Sequence, residues 1–94
     1  MSAKPRIVIY GSEHCNYCTA SRMLLKKKGL DYEDIPVSTD AAAQQEMQRR
    51  SGRTSVPQIF IDDKPIGGFD ELYELEQSGE LDQLLNGSTA TIEK

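Results

Sequence analysis

Arg6-Ile7-Val8-Ile9-Tyr10-Gly11-Ser12-Glu13-His14-Cys15-Asn16-Tyr17-Cys18 is the stretch on which the fold turns. Ile7 to Tyr10 is a run of β-branched and aromatic residues, with Pro5 before it and Gly11 after, and it reads as a buried strand. From Cys15 onward no Pro or Gly interrupts the chain until Gly29, and Ala20, Met23, Leu24 and Leu25 supply an apolar face. That pattern predicts a helix over residues 15–28. Lys26, Lys27 and Lys28 fall in its last turn, where cations suit the helix dipole, and Gly29 stands where a helix ends on a left-handed residue. A strand therefore hands over to a helix, with two cysteines one helical turn apart at the junction.

Outward from there, residues 32–37 read as a second strand with Ile35 and Val37 inward. Ser38-Thr39-Asp40 offers N-caps for a helix over residues 41–50, whose thin apolar face, Ala43 and Met47, places it on the surface. Residues 58–61 form a third strand, Asp62-Asp63 a turn, and residues 64–66 a short edge strand. Gly67-Gly68 breaks the chain before a helix carrying Phe69, Leu72, Tyr73 and Leu75, and Ser78-Gly79 separates it from a last helix with Leu81, Leu84 and Leu85. The order is β-α-β-α-β-β-α-α. A right-handed crossover makes the first two strands parallel and the tight turn makes the last two antiparallel. The compact solution is an α/β fold, a four-stranded mixed sheet with helices on both faces. One domain is expected over residues 1–87, with a polar, disordered tail over 88–94.

Composition narrows the function classes. The chain has 94 residues, 37% hydrophobic and 28% charged, an ordinary balance for one small globular domain. Fifteen acidic against eleven basic residues give a formal net charge of -4, which phosphate backbones repel, so no nucleic-acid partner is expected. No apolar run could span a bilayer and no apolar signal segment follows Lys4 and Arg6, so the expectation is a cytoplasmic protein without a membrane partner.

Cys15 and Cys18 are the only cysteines, too few for a secreted disulfide framework. A C-x-x-C where a strand meets a helix reads as a thioredoxin-like redox motif. Backbone N–H groups at the helix start stabilise a Cys15 thiolate, the nucleophilic form. Cys18, a turn later and partly shielded, can close a disulfide on it. Zinc is the competing reading, but His14, Cys15 and Cys18 offer at most three of the four ligands a tetrahedral site takes. His14 itself reads as an exposed loop residue.

Two further features stand beside the motif. Thr54-Ser55-Val56-Pro57-Gln58 precedes the third strand, where a proline without an N–H lets the neighbouring backbone face an extended ligand. Gly67-Gly68-Phe69-Asp70-Glu71 allows close backbone approach, with Asp70 as N-cap and the helix N–H groups suited to a carboxylate. Taken singly, these read as a strand-start proline and a turn before a capped helix.

Together, the C-x-Y-C, the S/T-V-P and the G-G-x-D resemble the glutaredoxins over roughly residues 6–86. Residues 50–61 and the chain length are similar to the small bacterial dithiol class of that family. The resemblance implies a thioredoxin-like fold and a glutathione-dependent thiol–disulfide oxidoreductase that reduces protein disulfides and glutathione mixed disulfides. It implies Cys15 as nucleophile and Cys18 as resolving cysteine. It implies a glutathione site of Tyr17 beside the sulfur, the Val56 backbone with Ser55 and a cis Pro57, and Gly68, Phe69 and Asp70 at the γ-glutamyl end. Gln44 aligns with a residue near the glycyl carboxylate. The implied partners are glutathione and disulfide-containing or glutathionylated proteins, acting on a monomer.

Three positions depart from the family pattern. Asn16 stands for the usual proline between the cysteines, Ser12 for a lysine, and Phe69 for a third cysteine of close relatives. Family members without that proline include dimers that share a [2Fe–2S] cluster through the first cysteine and glutathione. Asn16 therefore keeps open an alternative in which Cys15 is a cluster ligand.

Overall fold

The computed structural model of the chain describes residues 6–86. Its elements are β1 (Ile7–Gly11), α1 (Asn16–Lys27), β2 (Glu33–Pro36), α2 (Ala41–Ser51), β3 (Gln58–Ile61), β4 (Lys64–Gly67), α3 (Phe69–Ser78) and α4 (Glu80–Asn86). The four strands form one sheet in the order β2-β1-β3-β4. β1 runs parallel to β2 and antiparallel to β3, and β3 runs antiparallel to β4. The boundary expected after residue 87 and the polar tail over 88–94 lie outside the described residues.

Register sorts the side chains onto two faces. Ile7 lies opposite Ile61 and Ile9 opposite Ile59, while Val8 lies opposite Phe60. With a strand period of two, the four isoleucines share one face and Val8, Tyr10 and Phe60 the other. On the isoleucine face Leu25 of α1, Leu72 of α3 and Leu81 of α4 complete a buried cluster. On the other face Val37, with Ala43 and Met47 of α2, closes a second one. Because β1 and β3 are covered on both sides, they read as continuous apolar runs rather than alternating ones.

Several sequence expectations shift. α1 spans Asn16–Lys27, with Cys15 and Lys28 as its caps rather than its first and last residues. β2 is shorter than residues 32–37. Only Glu33–Pro36 pair as strand, while Val37 turns inward and its N–H reaches the Gly11 carbonyl at 3.0 Å. α2 lies at the surface as its thin apolar face predicts, with only Ala43 and Met47 buried, and these two close the second core. Two apolar side chains suffice because Ala43 lets the helix approach closely and Met47 fills the remaining space.

The β3–β4 turn is built by two aspartates. Asp62 and Asp63 both have positive φ, 51° and 69°, the pattern of a two-residue hairpin that matches strand twist. Each carboxylate compensates for the conformation. Asp62 Oδ1 accepts from the Arg6 N–H at 2.9 Å, and Asp63 Oδ1 accepts from Arg50 Nη2 at 3.1 Å. The Arg50 guanidinium also sits 4.4 Å from the Phe60 ring centroid and donates to Tyr10 Oη at 2.8 Å. At the other end of α1, Lys28 Nζ bridges Glu76 at 2.9 Å and Asp82 at 2.8 Å, tying α1 to α3 and α4.

Candidate active site

The antiparallel order places the C-terminal end of β1, the N-terminal end of β3 and the C-terminal end of β4 at one edge of the sheet. Three segments meet there: the start of α1, the loop before β3, and the start of α3.

Cys15 is the N-cap of α1, in extended conformation, and its Sγ accepts from the Cys18 N–H at 3.2 Å. That is an orphan donor of the helix start aimed at the sulfur, together with the positive end of the helix dipole. On its other side the Cys15 thiol lies 3.8 Å from the Val56 carbonyl oxygen. Cys15 is partly exposed, whereas Cys18 is fully buried, and both are free thiols. Burial, followed by the hydrogen bond with Cys15, pushes the Cys18 thiol up to about 11. The Ser12 N–H, 3.5 Å from Cys18 Sγ, and the positive Arg22 act in the opposite direction. Arg22 is itself held by Asp34, with Nε 2.9 Å from Oδ2 and Nη2 3.3 Å from Oδ1, and it donates to the Ser12 carbonyl at 3.3 Å.

Beside the cysteines lies a groove of about 220 Å³ lined by Tyr17, Ser55, Val56, Pro57, Gly68, Phe69 and Asp70, together with Arg53, Gln58 and Glu71. The Val56–Pro57 peptide bond is cis. Buried Gln58 holds this loop, donating through Nε2 to the Ser55 carbonyl at 3.0 Å and to Ser55 Oγ at 3.3 Å. Tyr17 is 62% exposed and stacks on Phe69, ring centroids 6.0 Å apart.

The far end of the groove is the start of α3. Its N-cap is Gly68 rather than Asp70, because Glu71 reaches back and accepts from the Gly68 N–H at 2.8 Å. A polar side chain three residues on satisfies the cap, and Asp70 is left facing outward. The Gly68 N–H, and the Arg53 guanidinium 3.6 Å away, hold the Glu71 carboxyl below its ordinary range. Gly67, at φ +119°, has no room for a Cβ, which would sit 2.9 Å from the Glu71 side chain.

The structure thus gathers Tyr17, Ser55, Val56, Pro57, Gly68, Phe69 and Asp70 around one groove next to Cys15. It does not bring Gln44 there. α2 packs through Ala43 and Met47 on the opposite core, which leaves Gln44 in solvent and outside the groove lining. His14 is exposed, as expected. Among the described residues no group of three His, Cys, Asp or Glu converges as a metal site. Sequence reasoning missed Arg53, Gln58 and Glu71. The Gly68-to-Glu71 spacing was a signal for Glu71, and a polar residue opening an apolar strand was one for Gln58. A larger recess of about 420 Å³ lies between β4 and the α3–α4 pair, but it contains no cysteine and no thiol chemistry can occur in it.

Comparison with known proteins places these features among relatives. The family model for glutaredoxin matches residues 7–66. Glutaredoxin 3 of Escherichia coli K12 is 49% identical over 79 residues, covering 84% of this chain and 95% of that protein. The solution structure of a glutaredoxin from Brucella melitensis superposes with a TM-score of 0.78 at 42% identity, covering 89% of this chain and 91% of that one. A crystal structure of a buckwheat glutaredoxin–glutathione complex gives a TM-score of 0.78 at 29% identity, covering 85% of this chain and 76% of that one.

Proposed function

This chain belongs to the glutaredoxin family and is a glutathione-dependent thiol–disulfide oxidoreductase, and we propose that it works through Cys15 at the groove described above. The observation that carries the assignment is the contrast between the two thiols. Cys15 is reachable and accepts a hydrogen bond from the α1 start. Cys18 is buried and, with its thiol pushed up to about 11, holds its proton at neutral pH.

With a glutathionylated protein, the Cys15 thiolate attacks the glutathione sulfur. A bond forms between Cys15 Sγ and that sulfur, the mixed disulfide breaks, and the protein leaves as a thiolate that takes a proton from water. A second glutathione, as thiolate, then attacks the glutathione sulfur held on Cys15. Oxidised glutathione leaves and the Cys15 thiolate is restored. With a protein disulfide, Cys15 attacks first. Cys18 then attacks Cys15 Sγ, its proton passing to the departing second protein thiolate, and leaves a Cys15–Cys18 disulfide for two glutathiones to reduce.

The groove suits glutathione as the bound co-substrate. Its cysteine would run antiparallel beside Val56 and cis Pro57, with Ser55 adjacent and Tyr17 against the sulfur. Its γ-glutamyl carboxylate would meet the start of α3. There Glu71 occupies the Gly68 N–H, so the helix-start N–H groups of Phe69 and Asp70 remain for a ligand. The buckwheat glutaredoxin–glutathione complex, similar in fold, supports glutathione as the ligand. Arg53 lines the groove and supplies a cation there, whereas Gln44 is neutral and stands in solvent outside the lining. We take the active species to be a monomer in the cytoplasm, because its turnover draws on a reducing glutathione pool. No helix among the described residues is long and apolar enough to cross a membrane.

The test is a pair of variants in glutathione-coupled assays. Cys15→Ser is expected to lose all turnover. Cys18→Ser is expected to keep reduction of glutathione mixed disulfides and lose most reduction of protein disulfides. Equal loss of both activities in Cys18→Ser would overturn the assignment of roles. An anaerobic absorbance spectrum separates this reading from a cluster-bridged dimer, and a colourless monomer is the expected result.

A further inference from the structure

Residues 65–86 carry six carboxylates, at Asp70, Glu71, Glu74, Glu76, Glu80 and Asp82, and no Lys or Arg. Cations from elsewhere neutralise only part of them. Lys28 takes Glu76 and Asp82, and Arg53 takes Glu71. Asp70, Glu74 and Glu80 are exposed and have no ion-pair partner among the described residues.

Next to this acidic row runs an aromatic one. Helical spacing sets Phe69 and Tyr73 one turn apart, and Asp70 and Glu74 one turn apart on the adjoining row. Tyr17 stacks on Phe69, and Phe69 lies 5.8 Å from Tyr73, so three rings form a ladder. It starts on α1 two residues from Cys15 and runs out along α3. Tyr73 is 48% exposed and Tyr17 more so. Contiguous large apolar side chains left in water mark a contact surface. This one is continuous with the groove, which Tyr17 and Phe69 also line.

Ring faces attract cations, and the adjoining carboxylates add attraction of the same sign while repelling anions. We propose that this strip of α3 docks basic segments of protein substrates: with glutathione at Phe69 and Asp70, an arginine- or lysine-bearing stretch beside the target cysteine lies along Tyr73, its cations facing Glu74 and Glu80. The inference rests on the oxidoreductase reading and names the class of protein that the same site serves. Arginine fits better than lysine, because its planar guanidinium both stacks on rings and forks onto carboxylates. The larger recess continues the strip. There Glu74 and Glu80 stand over Pro65, Ile66, Leu75 and Leu84, an apolar floor for the stems of long basic side chains.

The experiment compares short glutathionylated peptides whose cysteine is flanked by arginine, by glutamate or by neutral residues. The mixed disulfide of glutathione and 2-mercaptoethanol serves as the small reference. At low salt kcat/KM is expected to favour the arginine peptide over the glutamate one by about five-fold or more, and high salt should compress the ratio. Tyr73→Ala and Glu74→Lys, both outside the groove, should each lower the ratio roughly two- to five-fold while leaving the small reference substrate unchanged. Equal rates on the three peptides, a preference for the neutral one, or a ratio untouched by both variants overturns the proposal. Amide NMR titration with the arginine peptide, serine replacing its cysteine, decides independently of turnover. Shifts should fall on residues 73–80, and shifts elsewhere or none overturn it. Absent turnover of the small reference would strike the oxidoreductase reading instead.

Discussion

Gly11→Ala tests how tightly the resolving thiol is packed against β1. A Cβ built at Gly11 lies 2.9 Å from Cys18 Sγ and 3.3 Å from both Cys18 Cβ and Arg22 Nη2. Unstrained carbon contacts sit at about 3.5–4.0 Å, so the added methyl overlaps the sulfur outright. Neither neighbour yields readily. Cys18 is fully buried in the first turn of α1, and Arg22 is held by two contacts to Asp34. Gly11 is not in the left-handed region, so the backbone accepts alanine and the cost is steric alone. Overpacking of this kind costs about 1–3 kcal/mol. At about 4–8 °C per kcal/mol for a chain of this size, Tm should fall visibly. Urea unfolding under reducing conditions should show a lower midpoint at unchanged slope. In a Cys18→Ala background the sulfur is gone, and the same substitution should cost under about 1 kcal/mol, a coupling of roughly 1–2 kcal/mol. Additive effects, or no loss in the single variant, would refute the packing argument.

Met47→Ala removes a fully buried side chain from the α2 face and should cost about 2–5 kcal/mol by urea unfolding; a loss like that of a surface change would mean α2 does not cover that core. In a Cys15→Ser background, where burial alone still raises the thiol, alkylation of Cys18 should be slow at pH 8 and climb only in more alkaline solution. Denaturation should release it to a free-thiol profile near about 8.5, and equal native and denatured rates at pH 8 would contradict its burial. Glu71→Ala should destabilise by about 0.3–1 kcal/mol at neutral pH, measured as the difference in unfolding free energy from wild type. Because the folded carboxyl is held below its ordinary value, that difference is full above the unfolded pKa of 4.5 and disappears as pH falls through the folded one; a pH-independent difference would show that charge is not involved.

The sheet was legible because Ile7 to Tyr10 and Ile59 to Ile61 are too apolar to be anything but doubly covered strands. The glycines at 11, 29, 52 and 67–68 mark where elements stop. The thin face of α2 was legible, but what it covers was not, because that depends on Val8, Tyr10 and Phe60, residues distant in sequence that only the register brings into one cluster with Met47. The start of α3 misled for a local reason. Asp70 has the chemistry of a cap, but Glu71, three residues past Gly68, accepts from the Gly68 N–H instead. The cysteine pair and its position announced the chemistry unaided. The groove came through the resemblance, and its lining was incomplete, since Arg53 carries no motif and reaches the groove only when β3 and α3 are in place. Gln44 entered through family resemblance alone, and the packing of α2 leaves it in solvent.

The two cores share a sheet but no residue. α1, α3 and α4 belong to one and α2 to the other, and Val56 packs at the edge of the α2 core. The 3.8 Å between Cys15 Sγ and the Val56 carbonyl therefore crosses a seam between two separately packed halves. One wall of the groove rides on three helices clamped by Lys28. The other is continuous through residues 52–55 with a single eleven-residue helix. Sub-global opening begins where the fewest apolar contacts must be given up, which here is the α2 side. Amide hydrogen exchange should therefore run faster through α2 than through α1, and equal protection of the two helices would contradict that order.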